Sequence, residues 1–544
     1  MQDLNKDIIT SLIPVLNTIH KENRTRQYWE LLLGYWVNVF TAVMYDRWSV
    51  VKDAIDKGLL DESAGQSKPI GHQVANNSGL FINLTSEDAW NASTITWIVN
   101  KCFWHESAEL VPCNTQSHHE KALSSNAVRV KTGLKDIFKR FLNTLSAQFG
   151  KKDQIILVSD YMQFRPRQKL LLRFGIGPRY WSPPKAPEFE YKHEMRSWEP
   201  SLPIGESCFT SLIIESLPKM IPKAFVEGYQ WVAKTAESMG WPDSPKVIWT
   251  SNSHFTDEVF NAWAGAKREL GSRFIIGEHG GFGTGDFNGA GTFQLHVADR
   301  FISTGWESTG NKITPVGNFR QLGVKQKWNS QGGALLVCVA MPRYSFDMRS
   351  MVIAGQMVSY FEEQFLFVDS LPADIRERVA VRLYPHDYGW NQKERWRNKH
   401  PSVKLDDGSC PIKKQIQRSR VIITTYNATA YLETMFHNIP TIIYWNPDHW
   451  EVNNDAQPLF EELKRVGIFH DSPHSAAKQL SLIWDNIEEW WYSNEVQEAK
   501  NSFCDKYSAN PPDMIDRLEK VLRVEMEVAQ GNIIAADSKD DGIS

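Results

Sequence analysis

The stretch Gly277 to Gly285 reads Gly-Glu-His-Gly-Gly-Phe-Gly-Thr-Gly, five glycines with one carboxylate and one imidazole. It follows the apolar run Arg273 to Ile276, so a strand is expected to empty into it. Open α/β sheets place their sites at such strand ends, and Gly280, Gly281 and Gly283 would let backbone approach a ligand closely. The spacing is neither the G-x-G-x-x-G of dinucleotide folds nor the G-x-x-x-x-G-K-[ST] of phosphate loops. His279 can serve as general base or as donor to a leaving group, or it can fix the loop by hydrogen bonds. Glu278, Asp286 and Asp299 are the nearby carboxylates. Asp299 lies in Ala298-Asp299-Arg300-Phe301, inside an expected strand, as a nucleophile or as the structural partner of Arg300.

Three further strand ends carry polar clusters in the second half of the chain. Met341-Pro342-Arg343-Tyr344 follows one. Tyr384-Pro385-His386-Asp387-Tyr388-Gly389-Trp390 follows another, with Arg382 inside the strand. Guanidinium and imidazole groups in such a cleft suit a phosphate or carboxylate; as isolated surface groups they would be structural ion pairs. The third is Thr424-Thr425-Tyr426-Asn427-Ala428-Thr429, leading into a helix that carries Glu433. Hydroxyls there cap the helix, and its free N–H groups can take an anion. Glu433 either reaches a ribose hydroxyl or makes an ion pair. No His/Asp/Glu group has metal-ligand spacing, so no metal is expected.

Alternating strands and helices must position these groups. Tyr28, Leu31, Leu32, Tyr35, Val39 and Ala42 mark one face of an N-terminal helix. Residues 64–117 read as polar loops, and Val128 to Phe149 as a helix. Strands are expected at Ile155–Val158, Val247–Trp249, Phe274–Ile276 and Val297–Ile302, with helices over Ile221–Ser238 and Asp257–Leu270. The glycine-containing stretch 317–333 reads as a linker. A second unit begins at Ala334–Ala340, a continuous apolar run of the kind buried on both faces. Helices are expected at Arg349–Glu363, Ile412–Arg418, Asn427–His437, Asp455–Val466, Ser475–Tyr492 and Asn494–Ala529, and strands at Val379–Leu383, Val421–Ile423 and Thr441–Tyr444. The fold class is thus α/β, two Rossmann-like domains facing across a cleft. The expected division is a helical extension over 1–120, a first domain over 121–325, a second over 326–530 and a disordered tail over 531–544.

The bulk numbers narrow the function classes. The 544 residues are 42% hydrophobic and 23% charged with net charge −4, an ordinary globular composition with no electrostatic case for nucleic acid. The 21 tryptophans fit large cores or stacking surfaces for sugars and bases. Six cysteines without a C-x-x-C pair fit a reducing compartment rather than a disulfide scaffold or zinc site. Met1 to Ile8 lacks the order of a secretory signal. Leu31 to Tyr45, the most apolar segment, falls short of a spanning helix. The expected location is the cytoplasm, with peripheral contact at the inner membrane left open.

The run Glu278-His279-Gly280-Gly281-Phe282-Gly283, with Asp299-Arg300-Phe301 and Gly305-Trp306, resembles a bacterial family of transferases labelled after a leptospiral locus. That family belongs to surface-polysaccharide (O-antigen, lipopolysaccharide) gene clusters. Arg382-Leu383-Tyr384-Pro385-His386-Asp387-Tyr388-Gly389-Trp390, Thr425 through Tyr431-Leu432-Glu433, and Asn438-Ile439-Pro440-Thr441 match as well. So do Arg26-Gln27-Tyr28-Trp29-Glu30, Gly34-Tyr35-Trp36 and Tyr45-Asp46-Arg47, extending the resemblance over nearly the whole chain. The family is similar to GT-B glycosyltransferases, with a motif layout like that of Kdo and sialic acid transferases. The resemblance implies a nucleotide-activated sugar as substrate in the C-terminal domain, no cofactor and no required metal. It implies phosphate contacts at His386, Thr424 and Thr425. Two departures stand out: Pro385-His386 is the reverse of the relatives' His-Pro, and Glu278 stands where glutamine is expected.

The expected chemistry is transfer of a sugar, Kdo- or sialic-type from a CMP donor, onto a glycan or lipid-linked acceptor. Arg343, Arg382 and His386 would stabilise the leaving phosphate, with Asn427, Thr429 and Glu433 completing the donor site. His279 or a nearby carboxylate would act as base in an inverting course, and Asp299 as nucleophile in a retaining one. Rival readings on the same architecture are a polyol-phosphate transferase, a sugar-nucleotide epimerase or a non-catalytic nucleotide-binding relative.

Overall fold

Short runs of β-branched and aromatic residues build parallel strands throughout. The computed structural model describes residues 1–60, 70–104, 110–113, 154–177, 184–202, 208–285, 289–308, 310 and 312–532. The expected Val128–Phe149 helix, Asp286 and the acidic tail lie outside the described residues. Strands β1 (Ile70–Gln73) and β2 (Leu110–Cys113) form a small parallel pair. The first main sheet holds β3 (Ile155–Val158), β4 (Val247–Thr250), β5 (Arg273–Gly277), β6 (Arg300–Ser303) and β7 (Ile313–Pro315), paired in that order. The second holds β8 (Gly333–Val337), β9 (Val379–Arg382), β10 (Lys404–Asp406), β11 (Ser419–Thr424), β12 (Thr441–Tyr444) and β13 (Phe469–His470). Its order is β10-β9-β8-β11-β12-β13, all parallel. That order reverses between β8 and β11, and a doubly wound sheet binds ligands at such a switch point.

Both sheets carry apolar residues on both faces, as crossover helices require. Ile248, Trp249, Phe274 and Ile276 are buried in the first, Leu335, Leu336, Ile422 and Ile423 in the second. The N-terminal extension is two long helices, Gln2–His20 and Arg26–Asp56. The second buries Trp29, Trp36 and Phe40 and lies against the Glu258–Glu269 helix, where a side chain in place of Gly265 would meet Tyr28. Residues expected as loops between 64 and 117 include two helices, Ser78–Leu84 and Asp88–Val99. Asn77 caps the first by accepting from the Leu80 N–H at 2.8 Å, an N-cap signal the composition of the stretch had hidden.

The extension braces the two halves. Buried Arg47 donates to Asn91 Oδ1 at 2.8 Å, to the Thr85 carbonyl and, across the molecule, to the Ser345 carbonyl at 2.6 Å. Asp88 accepts from Arg343 and from the Tyr344 hydroxyl, each at 2.9 Å. The expected Asn494–Ala529 helix is two, Asn494–Tyr507 and Met514–Ala529, broken at Pro511-Pro512. The second crosses back to the first sheet, where Met514, Leu518 and Leu522 pack with Ile155, Val247 and Trp249. Its fully buried Glu525 accepts from Arg273 and Arg300, both at 2.7 Å.

The cysteine expectation is corrected. Cys102 and Cys208 form a disulfide although 106 residues separate them. Sequence spacing hides this pair because the fold alone brings the turn after the Asp88–Val99 helix to the start of the Cys208–Met220 helix. Among the described residues no helix is long and apolar enough to cross a membrane.

Candidate functional site

The glycine loop is the C-terminal continuation of β5, as its sequence requires, and it is pressed against the second sheet's switch point. A Cβ on Gly281 would stand 3.1 Å from Leu432 Cδ1 and 3.3 Å from the Ala428 carbonyl carbon. Thr284 Oγ1 donates to Asn427 Oδ1 at 2.9 Å, and Asn453 Nδ2 donates to the carbonyls of Gly283 and Gly285 at 2.8 and 3.1 Å. Gly283 has to be glycine because any Cβ there would fall 2.3 Å from the Trp306 ring.

Glu278 anchors the loop. It is fully buried, with Oε1 accepting from Gly283 N–H at 3.1 Å. Oε2 accepts from Thr304 N–H (2.8 Å), Thr304 Oγ1 (2.9 Å) and Trp306 Nε1 (2.7 Å). Burial raises its pKa against the pull of these donors. Its lone pairs are committed to loop and strand, so its place is structural rather than at the reacting atoms.

His279 is different. Its ring lies among Tyr161, Phe255 and Phe282, at centroid distances of 5.8, 5.4 and 5.4 Å. Nδ1 is buried without a partner among the described residues, whereas Nε2 is not sealed off. Burial, with the guanidiniums of Arg320 and Arg349 nearby, pushes the imidazole down to about 4. It is therefore neutral near pH 7 and able to accept a proton. Ser159 and Tyr161, beside it, hold positive φ (50° and 60°), and local strain of this kind gathers at functional sites. Arg320 stacks over the Tyr161 ring at 5.3 Å and reaches Glu433 at 3.4 Å.

Asp299 is corrected. It precedes β6 and so lies at the sheet end opposite the glycine loop, about 10 Å away along the strands. Its carboxylate accepts from Phe274 N–H at 2.7 Å and pairs with Arg268 (3.2 Å) and Arg273 (3.7 Å), while Arg300 pairs with Glu525. It can be no nucleophile in the cleft.

In the second half the switch point is tied by one hydroxyl. Tyr360 Oη accepts from Val339 N–H at 2.9 Å and pairs with Thr425 Oγ1 at 2.5 Å, and Thr425 donates to the Val337 carbonyl at 3.0 Å. Thr424 and Thr425 are both buried; the Thr425 hydroxyl is spent on Tyr360 and the Val337 carbonyl, whereas Thr424 Oγ1, at the strand end, has no hydrogen-bond partner among the described residues. The Thr429–Phe436 helix begins at the switch point, and its N-cap, Ala428, offers no capping side chain. Its first N–H groups and the Thr429 side chain are what remain for an anion. Asn427 joins the domains through Thr284 and Tyr431.

Arg382 is also reassigned. It donates to Asp406 Oδ2 at 2.5 Å and to the Cys410 carbonyl at 2.7 Å, which turns it toward β10. His386 is exposed on the rim, edge-on to Tyr388 at 4.2 Å. Arg343 is held by Asp88 beneath the turn at Gly389. A cavity of about 280 Å³ lined by Arg24, Tyr28, Trp241, Trp263, Lys267 and Glu269 lies toward the opposite end of the first sheet and is no part of this site. Among the described residues no group of three His, Cys, Asp or Glu side chains could hold a metal ion.

Two parallel α/β sheets, one with its switch point against the other's strand-end loop, define a Rossmann-like α/β protein. The chain belongs to the LIC12162 family of transferases, whose model matches residues 1–522. Solved structures that match the chain include MurG of Acinetobacter baumannii, at 10% identity and TM-score 0.33 over 71% of this chain and 96% of that one. UGT89C1 of Arabidopsis thaliana is 12% identical with TM-score 0.35 over 69% and 100%. The wall teichoic acid polymerase TagF is 9% identical with TM-score 0.29 over 55% and 85%. No curated protein matches the chain.

Proposed function

We propose that the protein is a metal-independent glycosyltransferase of the GT-B type. It moves a sugar from a nucleotide donor, held in the second domain, onto a glycan or lipid-linked acceptor of a surface polysaccharide. The observation that carries this reading is the pressing of the glycine loop, with its neutral histidine, onto the uncapped start of the Thr429–Phe436 helix. The helix end suits the donor phosphate, and the imidazole suits the acceptor hydroxyl.

The reaction is a single inverting displacement. The acceptor oxygen forms a bond to the anomeric carbon and gives its proton to His279 Nε2. The carbon–oxygen bond to phosphate breaks, and the nucleotide leaves with the electron pair toward the helix end, with Arg343 and His386 at the rim. Among the described residues the carboxylates around the loop favour this course over a covalent one, because each is engaged: Glu278 by four donors, Asp160 by Arg167, Asp347 by Arg349, Glu433 by Arg320. Glu433 would exchange Arg320 for a ribose hydroxyl when donor binds. This reading keeps the enzyme at the cytoplasmic face of the inner membrane, with the Cys102–Cys208 disulfide as a contrary observation, and takes a Kdo- or sialic-type sugar on CMP as the donor.

A thermal-shift series with CMP, UDP, GDP and CDP tests it. Stabilisation by CMP, followed by release of CMP from a CMP-sugar, supports the full reading, and a UDP or GDP response supports transfer from another donor. A CDP response with turnover of a CDP-polyol redirects it to polyol-phosphate transfer. No shift with any nucleotide contradicts it.

A further inference from the structure

The helix Phe164–Arg173 follows β3 and turns one face to solvent. At 3.6 residues per turn, Phe164, Arg165, Gln168, Lys169 and Leu172 fall within an arc of about 140°. Leu170 and Leu171 point the other way, into the core of the first sheet. Phe164 is 62% and Leu172 72% exposed. Arg165 and Lys169, on the same arc, are exposed, and neither makes an ion pair or hydrogen bond among the described residues. Residues 161–177 hold four bases and no carboxylate, in a chain of net charge −4. The carboxylates that do reach this helix are paired: Asp160 with Arg167, Asp516 with Arg173, Glu519 with Arg173 and Arg523. A Cβ on Gly323 would stand 2.9 Å from Pro166 Cγ, so a second segment lies along the helix start and brings exposed Lys325 to it. Leu270 and Leu482 are as exposed, but no second large apolar side chain is exposed on the helix beside either. Val50 and Leu59 stand with Asp53 and Asp56.

We propose that this face docks the protein on a bilayer that carries anionic phospholipid. Phe164 and Leu172 enter the headgroup layer, and Arg165, Lys169 and Lys325 meet lipid phosphates. Apolar side chains interleaved with unpaired cations are what such a surface complements, since it offers both a hydrophobic boundary and negative charge. A second copy of the chain fits less well, because a two-fold contact sets the same patch against itself and brings its cations together. The place of the face gives the docking a purpose, and that purpose rests on the reading of a lipid-linked acceptor. Tyr161 is at most about 11 Å of chain from Phe164, and its ring lies 5.8 Å from that of His279. Gln163 donates to the Arg320 carbonyl at 3.2 Å, and Arg320 covers Tyr161. A bilayer seated here borders the glycine loop, and an acceptor anchored in it reaches His279 without leaving the membrane.

Sedimentation of the full chain with vesicles tests this without donor, acceptor or turnover, so its failure leaves the transfer reading standing, and the reverse holds too. Vesicles of phosphatidylglycerol and phosphatidylethanolamine should carry the protein down, and vesicles of phosphatidylcholine should not. Raising salt from about 0.05 to 0.5 M should weaken the binding through screening. Each cation near an anionic surface contributes roughly fivefold, so Arg165→Gln with Lys169→Gln is expected to lower partition onto the anionic vesicles by about 10- to 30-fold. Phe164→Ser with Leu172→Ser should lower it as well and remove what survives at high salt. Near-UV circular dichroism checks the fold of both pairs; should the serine pair misfold, the glutamine pair decides alone. No sedimentation with the anionic vesicles overturns the proposal. So does equal sedimentation with phosphatidylcholine, or wild-type binding in both folded double variants. A dimer abolished by the serine pair, in a protein that ignores vesicles, would assign the face to a second copy instead.

Discussion

The Glu278 carboxylate and the Trp306 indole N–H lie 2.7 Å apart, fully buried, directly under the turn that carries His279. Oε2 takes three donors and Oε1 a fourth, from Gly283 N–H. An amide in this place could satisfy only one side. Its NH2 would face the Gly283 N–H or the Thr304–Trp306 donors. Glu278→Gln is therefore expected to lower stability by about 1–3 kcal/mol, measured by urea unfolding. It should reduce turnover through the loop while leaving nucleotide binding in the second domain unchanged.

Tyr360→Phe removes one oxygen atom at the switch point and leaves the Val339 N–H and Thr425 hydroxyl without their shared partner. A loss of about 1–3 kcal/mol in stability is expected. Because β8 and β11 frame the proposed nucleotide cradle, nucleotide affinity should fall as well, read by calorimetric titration.

The pH profile of transfer should reflect the depressed imidazole. His279 sits near 4, below the ordinary 6.5, so its base form persists as pH falls. The account predicts that kcat/KM stays level down to about pH 5 and drops only as His279 begins to protonate. A fall centred near 6.5 would show a base in an ordinary environment. A folded Arg320→Gln variant should move the acid limb upward, since removing a positive neighbour eases protonation.

The Cys102–Cys208 bond joins the N-terminal extension to the Cys208–Met220 helix. Cross-links over long loops stabilise by about 2–4 kcal/mol. Cys208→Ser, or treatment with a thiol reductant, is expected to lower the melting temperature. Mass spectrometry of the unreduced, alkylated chain should show Cys102 and Cys208 protected from alkylation and Cys338, Cys410 and Cys504 modified.

Much of the frame was legible because periodicity reports burial. Strands Ile155–Val158 and Thr441–Tyr444 lie where their apolar runs put them. Helix ends fared less well. The expected Ile221–Ser238 helix begins only at Tyr229, and the Cys208–Met220 helix before it was not foreseen. Val297 closes the Ala290–Val297 helix instead of opening a strand. Strands β7, β10 and β13, of two or three residues, are too short to leave a pattern. The site was half visible. Glycines and hydroxyls next to strand ends pointed to His279 and to the helix start near Thr429 as candidates, and the fold brings their two segments into contact at Gly281 and Ala428. Arg382 and Asp299 misled because an ion-pair partner distant in sequence cannot be seen there. Arg320, which lies over Tyr161 beside His279, was missed inside a segment that reads as linker.

The central claim is that His279, over the uncapped start of the Thr429–Phe436 helix, takes the acceptor's proton. The direct measurement is nucleotide release from the responding donor by wild type and His279→Ala, with the nucleotide thermal shift recorded alongside. The account predicts turnover reduced by about 10²–10⁴-fold with the shift retained. Wild-type turnover in a folded His279→Ala enzyme would contradict it.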